Sequence, residues 1–183
     1  MHNAIPQRKS LAIRDVCAIG LCAAITALFA QISVPLPYGV PITLQTFAIC
    51  LAAVVLGPKK GFVAALLYVL LGAIGAPVFS RFQGGLHILI GPTGGYILSF
   101  PLMAYIAGLG TLPGGGRFRM PLCLIIGLSL NFLFGTLMFC AITSSTPWAA
   151  LIACVFPFIP TSILQAAVSY TLGKRVRSAL MSL

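Results

Sequence analysis

The sequence predicts an all-α membrane protein, a single domain built as a bundle of six transmembrane helices. Apolar residues make up 60% of its 183 residues and charged residues only 7%, whereas about a quarter of a soluble domain is charged. The apolar residues form six continuous stretches with the basic residues between them. Strands of a membrane barrel would instead alternate apolar and polar side chains, so helices are expected.

Each apolar stretch predicts one helix, and the ranges in chain order are 16–34, 42–56, 61–76, 96–112, 120–142 and 149–172. The second and third ranges are shorter than the ~20 residues that cross a bilayer. We therefore expect protein to cover their outer ends. The connections there contain Pro35, Pro37 and Pro41 on one side and a glycine-rich stretch, 77–95, on the other. Such interrupted spans favour a transporter's binding site, with ordinary surface loops as the alternative.

The basic residues predict the orientation. Ten of the eleven Lys and Arg residues precede the first stretch or follow the second, fourth and sixth, namely Arg8, Lys9, Arg14, Lys59, Lys60, Arg117, Arg119, Lys174, Arg175 and Arg177. Positive connections stay cytoplasmic during insertion. Both termini are therefore predicted to be cytoplasmic, and the connection that carries Arg81 is predicted to lie outside.

Composition disfavours several functions. The net charge of +10 arises at helix ends rather than on one face, so the lipid bilayer and not nucleic acid is the expected partner. Asp15 is the only acidic residue, His2 and His87 are the only histidines, and the six cysteines lie singly in apolar stretches. We expect no catalytic residues, metal, cofactor or disulfide framework.

The sequence also offers no energy source of its own. No Lys follows the glycines of residues 91–95 as a phosphate-binding loop requires, so ATP energy would have to come from another subunit. No carboxylate lies inside a predicted helix, which disfavours an autonomous ion-driven pump.

Polar residues within the predicted helices are candidates for a binding site. Ser162, Gln165 and Ser169 follow one face of the sixth helix, where they either line a cavity or bond to a neighbouring helix. The outer end of the second helix carries Thr43, Gln45 and Thr46, and Asn131 lies deeper in the fifth.

Arg81 shares the glycine-rich connection with Ser80, Gln83 and His87. As the only cation on its side, Arg81 is the expected partner of an anionic ligand, with a solvated loop residue as the alternative. His87 is assigned to loop packing or solvent.

Small residues recur four apart on the first helix, as Gly20 with Ala24 and Ala23 with Ala27. Such pairs permit close helix approach, either within the bundle or against a separate membrane subunit.

Four segments resemble the BioY family: Pro41-Ile42-Thr43-Leu44-Gln45-Thr46, Leu56-Gly57-Pro58 before the bases, Gly72-Ala73-Ile74-Gly75-Ala76-Pro77-Val78-Phe79, and Gly91-Pro92-Thr93-Gly94-Gly95-Tyr96. BioY proteins are the biotin-specific substrate-binding (S) components of energy-coupling-factor (ECF) vitamin transporters. The resemblance implies a six-helix bundle of the ECF S-component type. Its substrate pocket would face outward, beneath the loop between the first two helices and the loop before the fourth.

The resemblance also implies partners. S components dock on a transmembrane T subunit, which carries two ATPase subunits, through small residues of the first helix, here Gly20, Ala23, Ala24 and Ala27. Some family members occur without a dedicated ATPase, and the resemblance implies that such members transport alone or as homo-oligomers.

One segment departs from the family. After the proline turn of the sixth helix the family pattern continues Gly-Asp-x-x-Lys, whereas this chain reads Thr161-Ser162-Ile163-Leu164-Gln165. Neutral Ser162 and Gln165 stand in the register of the charged pair. The substitution keeps hydrogen bonding but removes a lysine that would meet a carboxylate.

The resulting prediction is uptake of biotin by a protein that is not an enzyme. The predicted contacts are Thr43, Gln45, Arg81, Gln83, Thr93, Gly94, Tyr96, Ser162 and Gln165. Tyr96 would supply an aromatic wall and a hydroxyl, Gln45 and Ser162 would pair with the ureido ring, and Arg81 would receive the carboxylate. The alternatives are a BioY-like carrier of another acidic vitamin such as lipoate, and a membrane scaffold that transports nothing.

Overall fold

A computed structural model describes residues 13–36, 40–114 and 116–181. Arg8 and Lys9, which contribute to the predicted orientation, and Pro37 of the first outer connection lie outside the described residues. The chain is helical along most of the described length, which confirms the all-α prediction. The helices are α1 (Ile13–Gln31), α2 (Gln45–Leu56), α3 (Pro58–Ala73), α4 (Leu86–Leu89), α5 (Gly94–Leu109), α6 (Arg119–Thr143), α7 (Pro147–Cys154) and α8 (Phe158–Met181).

A small hairpin replaces the facing ends of the first two predicted helices. β1 (Ser33–Val34) pairs antiparallel with β2 (Ile42–Thr43), so α1 ends at Gln31 and α2 begins at Gln45. The predicted ranges 16–34 and 42–56 were wrong at these ends because Ser33–Val34 and Ile42–Thr43 pair as strands there instead of continuing a helix.

α3 begins and ends three residues before its predicted range. Gly57 has φ 81° and turns the chain directly after α2, and Pro58 is the first residue of α3. Proline is well suited to that place because it needs no backbone donor and has a helical φ.

The sixth predicted helix is broken. α7 and α8 are bent by 49° relative to each other, and Pro157 lies in the break. A proline has no N–H and pushes its preceding residue out of the helical region, so the helix is interrupted there. α8 then continues through the basic residues that follow position 172.

Among the described residues, two helices are long and apolar enough to cross a membrane, Ile13–Gln31 and Arg119–Thr143, and the bent pair of α7 with α8 makes a third. α2, α3 and α5 have 12, 16 and 16 residues, below the ~20 residues of a full span. The polypeptide beyond their ends must therefore share the depth of the membrane.

α5 is the central helix and packs against α2, α3 and α6. α1 covers α2 and α3, α8 packs against α2, and α7 folds onto α6. Two glycines let α5 and α6 touch, since a Cβ on Gly95 would lie 2.4 Å from the Phe134 carbonyl and one on Gly135 would lie 2.3 Å from the Tyr96 ring. Side-chain choice at this contact is therefore strongly restricted.

Basic residues gather at one end of the bundle. Lys60 at the start of α3 forms an ion pair with Asp15 at the start of α1. Arg177 near the end of α8 donates to the carbonyls of Val54 and Val55 at the end of α2, at 3.3 and 3.2 Å. The hairpin lies at the opposite end of α1 and α2, together with Arg81.

Candidate binding site

A cavity of about 270 Å³ lies at the hairpin end of the bundle. Its wall is formed by the hairpin, by the connection between α3 and α5, and by residues of α2, α5, α6 and α8. Small-molecule pockets start at roughly this size. Eight of the nine predicted contacts line it, namely Thr43, Gln45, Arg81, Gln83, Thr93, Tyr96, Ser162 and Gln165.

Gly94, the ninth predicted contact, is not among the residues that line the cavity. A Cβ at Gly94 would lie 1.9 Å from the Leu89 carbonyl. The glycine is needed for the close turn from α4 into α5, which brings the neighbouring Thr93 and Tyr96 to the wall.

A chain of hydrogen bonds crosses the floor of the cavity. Thr43 Oγ1 donates to Gln45 Oε1 at 2.9 Å, Gln45 Nε2 donates to the Tyr68 hydroxyl, and that hydroxyl donates to the Val78 carbonyl at 3.1 Å. Both polar ends of Gln45 are therefore already engaged. Gln45 thus holds Thr43 and Tyr68, while one amide hydrogen and one oxygen lone pair remain for the predicted pairing with a ligand ring.

Gln165 and Ser162 each carry a polar atom that has no hydrogen-bond partner among the described residues. Gln165 Nε2 donates to the Thr43 carbonyl at 3.1 Å, which turns Oε1 away from that carbonyl. Gln165 Oε1 is buried and accepts no hydrogen bond within the described residues, and a buried acceptor without a donor costs roughly 1–3 kcal/mol. Ser162 Oγ likewise has no partner in the part of the chain that the structure describes.

Ser169, the third polar residue on this face of α8, bonds to a neighbouring helix, which is the second of the two roles predicted for this face. Ser169 is fully buried, and its hydroxyl shares its single proton between the Phe47 carbonyl of α2 at 3.0 Å and the Gln165 carbonyl at 2.7 Å. It therefore joins two helices, while the first two members face the cavity.

Aromatic side chains form the apolar wall. Tyr96 stacks on Phe158, with ring centroids 6.4 Å apart and planes 13° apart. The Tyr96 hydroxyl donates to the Cys154 carbonyl at 3.1 Å, so Tyr96 presents its ring rather than a free hydroxyl. Phe100 and Phe132 also line the cavity. Sequence reasoning missed Phe100, Phe132 and Phe158, because an apolar residue in an apolar helix carries no separate signal.

Asn131 lines the cavity from α6. Its Nδ2 donates to the Tyr96 carbonyl and to Ser99 Oγ, both at 2.8 Å. Asn131 Oδ1 makes no hydrogen bond to any described residue. The residue therefore fixes α6 against α5 and leaves an acceptor beside the cavity.

Arg81 is the only charged residue among the described residues that line the cavity. It lies in a tight turn, Ser80–Phe82, in which Arg81 and Phe82 have φ 62° and 56°. Left-handed backbone costs roughly 1–2 kcal/mol per residue for side chains other than glycine. Such strain persists only where the surrounding structure enforces it, often at ligand-binding sites. His87 is exposed, as expected for a loop residue.

The turn is anchored by Phe79. Phe79 is buried with its ring 5.6 Å from that of Tyr68, and its backbone N–H donates to the Gln83 carbonyl at 2.9 Å. A Cβ on Gly72 would overlap the Phe79 ring at 2.0 Å, so Gly72 of α3 provides the space that this anchor occupies.

The small residues of α1 separate into two faces. Ala23 is 2% exposed and, with Ala27, packs on the core. Ala24 is exposed, and a Cβ on Gly20 would meet no atom within 4 Å. Ala23 therefore does not offer a docking surface as predicted, because it is covered by the bundle, whereas Gly20 and Ala24 remain available on the outer face.

The geometry defines a helical membrane protein with a small-molecule cavity at one end of its bundle. Residues 3–182 match the sequence model of the BioY family, and the chain belongs to that family. The probable biotin transporter BioY of Pyrococcus horikoshii is 41% identical over 164 residues, which cover 90% of this chain and 96% of that protein. The biotin transporter BioY of Rhodobacter capsulatus is 34% identical over 180 residues, covering 89% and 93%.

A solved structure shares the fold. The crystal structure of the S-component for biotin from an ECF-type ABC transporter superposes with a TM-score of 0.82 at 23% identity, over 96% of this chain and 95% of that chain. The family model confirms the resemblance, and the shared fold confirms the S-component type of bundle. Membership of a family of transporters also confirms that the chain is a transport protein and not an enzyme.

Proposed function

We propose that the chain, as one integral membrane domain, binds biotin in this cavity and delivers it across the cytoplasmic membrane of a bacterium. The observation that carries the choice of ligand is the buried, unpaired Oε1 of Gln165. A site with an unpaired acceptor discriminates against ligands that bring no donor. Biotin has ureido N–H groups, whereas the dithiolane ring of lipoate has none.

The rest of the cavity supports the same ligand. Ser162 and Gln165 are three residues apart on one helix face, so their hydroxyl and amide oxygen match the adjacent C=O and N–H of a urea. The stacked Tyr96 and Phe158 rings suit the apolar bicycle and its alkyl chain. Arg81 would receive the carboxylate, since charge-assisted hydrogen bonds are the strongest available to a guanidinium.

Thr43, Gln45, Gln83 and Thr93 complete the proposed contacts at the rim and floor. Gln45 also holds Thr43 in place, and Gly94 acts by shaping the turn that leads through Thr93 into α5. The register in which the family pattern has a charged pair holds Ser162 and Gln165 here, so this chain would bind the carboxylate through Arg81 instead of a lysine on α8.

The proposed orientation follows from the charges. Positive connections are retained on the cytoplasmic side, so the basic end of the bundle would face the cytoplasm, with both termini, and the cavity would open outward. The single acidic residue, Asp15, is paired with Lys60 at the basic end. We therefore propose that transport depends on partners, a T subunit with ATPase subunits that docks on Gly20 and Ala24, or on a homo-oligomer when the protein works alone.

Calorimetric titration of the purified protein in nanodiscs tests the ligand. Biotin should bind more tightly than biotin amide by about 10- to 100-fold, the value of a hydrogen bond to a charged group. Lipoate should bind more weakly than biotin. Lipoate binding as tightly as biotin would favour the alternative vitamin carrier, and binding of neither would favour the scaffold.

Uptake tests the transport step. A biotin-auxotrophic cell that expresses this chain should accumulate labelled biotin, either alone or with the T and ATPase subunits. The comparison of the two strains separates solitary from ATPase-coupled operation. Failure of both strains, with binding intact, would contradict transport.

A further inference from the structure

Gln31, the last residue of α1, holds the turn that carries Arg81 by two hydrogen bonds of opposite sense. Its Nε2 donates to the Phe79 carbonyl at 3.1 Å, and the Phe82 backbone N–H donates to its Oε1 at 2.8 Å. Nε2 also donates to the Ala27 carbonyl at 3.0 Å, within α1. Because one backbone group only accepts and the other only donates, the orientation of the Gln31 amide is determined.

Few side chains support the turn at Arg81. Phe82 is 73% exposed, so its side chain does not anchor the turn. Arg81 makes no hydrogen bond with any described residue. Within the described chain, Gln31 is the only side chain that hydrogen-bonds the backbone of residues 79–83. The left-handed conformation of Arg81 and Phe82 is therefore held by Gln31, by the buried Phe79 and by the backbone hydrogen bonds that close the turn, from the Phe79 N–H to the Gln83 carbonyl and from the Gln83 N–H to the Ser80 carbonyl.

We propose that Gln31 is a positioning residue, which holds Arg81 in the left-handed conformation that lets its guanidinium line the cavity. The proposal rests on the proposed function, in which Arg81 receives the carboxylate of the ligand. Gln31 lies outside the set of cavity-lining residues, so it acts through Arg81 and makes no ligand contact of its own.

Amide chemistry is required at this site because both a donor and an acceptor are used. Gln31→Met keeps the length of the side chain and removes both hydrogen bonds. Gln31→Glu keeps the acceptor for Phe82 but replaces the donor by an anionic oxygen against the Phe79 carbonyl. Gln31→Met should therefore lose the bonds to both Phe79 and Phe82, and Gln31→Glu only the bond to Phe79.

Calorimetry on the full chain in nanodiscs, with biotin and biotin amide as probes, tests the positioning role. Gln31→Met should weaken biotin binding about 5- to 50-fold, within the range of a charged hydrogen bond, and change biotin amide binding less than about twofold. Adding Gln31→Met to Arg81→Ala should cause no further loss, because the two variants remove one interaction. Equal weakening of acid and amide would show a general structural role and overturn the proposal.

A second measurement does not depend on the ligand. Hydrogen–deuterium exchange without biotin should be faster across residues 79–85 in Gln31→Met, with an intermediate rate in Gln31→Glu, which also serves if Met fails to fold. Leu28→Met, an exposed residue one turn earlier on α1, is the matched control and should leave exchange unchanged. Unchanged exchange in both Gln31 variants overturns the proposal. If exchange rises but Arg81→Ala binds acid and amide like the wild type, the carboxylate assignment fails instead.

Discussion

Gln165 and Thr43 lie 122 residues apart in the sequence and are joined by a 3.1 Å hydrogen bond from Gln165 Nε2 to the Thr43 carbonyl. The bond ties the start of α8 to β2. The Oε1 atom of the same amide is buried and accepts no hydrogen bond within the described residues, and Gln165 is among the residues that line the cavity. Gln165 thus ties α8 to the hairpin and carries a buried acceptor that a ligand N–H would satisfy.

Gln165→Leu should reduce the preference for biotin over lipoate. The variant removes an acceptor for a ligand N–H, so biotin should bind about 2- to 10-fold more weakly, as for one neutral hydrogen bond. Lipoate should lose less or gain, because no buried acceptor remains unpaired in its complex. Calorimetric titration with both ligands measures the ratio. Ser169→Ala, one turn deeper and bonded to α2, is the control and should leave the ratio unchanged.

Arg81→Ala should weaken biotin binding about 10- to 100-fold while leaving biotin amide nearly unaffected, because only the acid carries a charge for the guanidinium. Gln165→Lys introduces a second cation at the cavity and should partly rescue biotin binding in the Arg81→Ala background. Titration of the wild type, Arg81→Ala and the double variant with both ligands measures this. If Arg81→Ala binds acid and amide as the wild type does, Arg81 is a solvated loop residue.

The sequence was sufficient to predict most of this bundle because apolar length and charge are local properties. The six stretches and the bases between them required no knowledge of contacts, and the resemblance added the type of bundle. The ends of helices were predicted less well. Whether Ser33 and Val34 continue a helix or pair with Ile42 and Thr43 depends on hydrogen bonds between distant residues, which a pattern in one stretch does not record.

The candidate site was predictable where its residues are polar and unusual for a membrane. Arg81, Ser162 and Gln165 stand out in an apolar sequence, whereas Phe132 and Phe158 do not. The role of Gln31 was likewise hidden, since a glutamine at a helix end has many uses. The particular role of Gln31 becomes visible only in the structure, where the buried Phe79 holds the turn against the end of α1.

Gly95→Ala should destabilise the protein by about 1–3 kcal/mol, because its Cβ would lie 2.4 Å from the Phe134 carbonyl and overpack the contact of α5 with α6. Gly20→Ala is the matched control, also inside a helix but with no atom within 4 Å of the new Cβ. It should be neutral or stabilise by up to about 1 kcal/mol. Thermal unfolding in detergent compares them, and an equal melting temperature for both variants would contradict the tight contact.

Cysteine labelling tests the orientation. All six cysteines are free, and replacing them provides a background for single reporters. Gln83→Cys, beside the cavity, should react with an impermeant thiol reagent in intact cells, because the basic end is retained in the cytoplasm. Gly116→Cys, at an exposed position in the connection between α5 and α6, should react only after lysis. Labelling of the second reporter alone would invert the orientation.

Ala24→Leu should weaken docking on a T subunit without changing biotin binding. Ala24 is exposed on α1 beside Gly20, and a larger side chain there prevents the close helix approach that small residues permit. The same substitution at Ala167, which is exposed on α8, is the control for a general effect of an added apolar side chain. Co-purification with the T subunit and titration with biotin measure the two properties. Normal co-purification of Ala24→Leu would show that the docking surface does not lie on this face of α1. Loss of biotin binding would mean that the substitution disturbs the bundle itself.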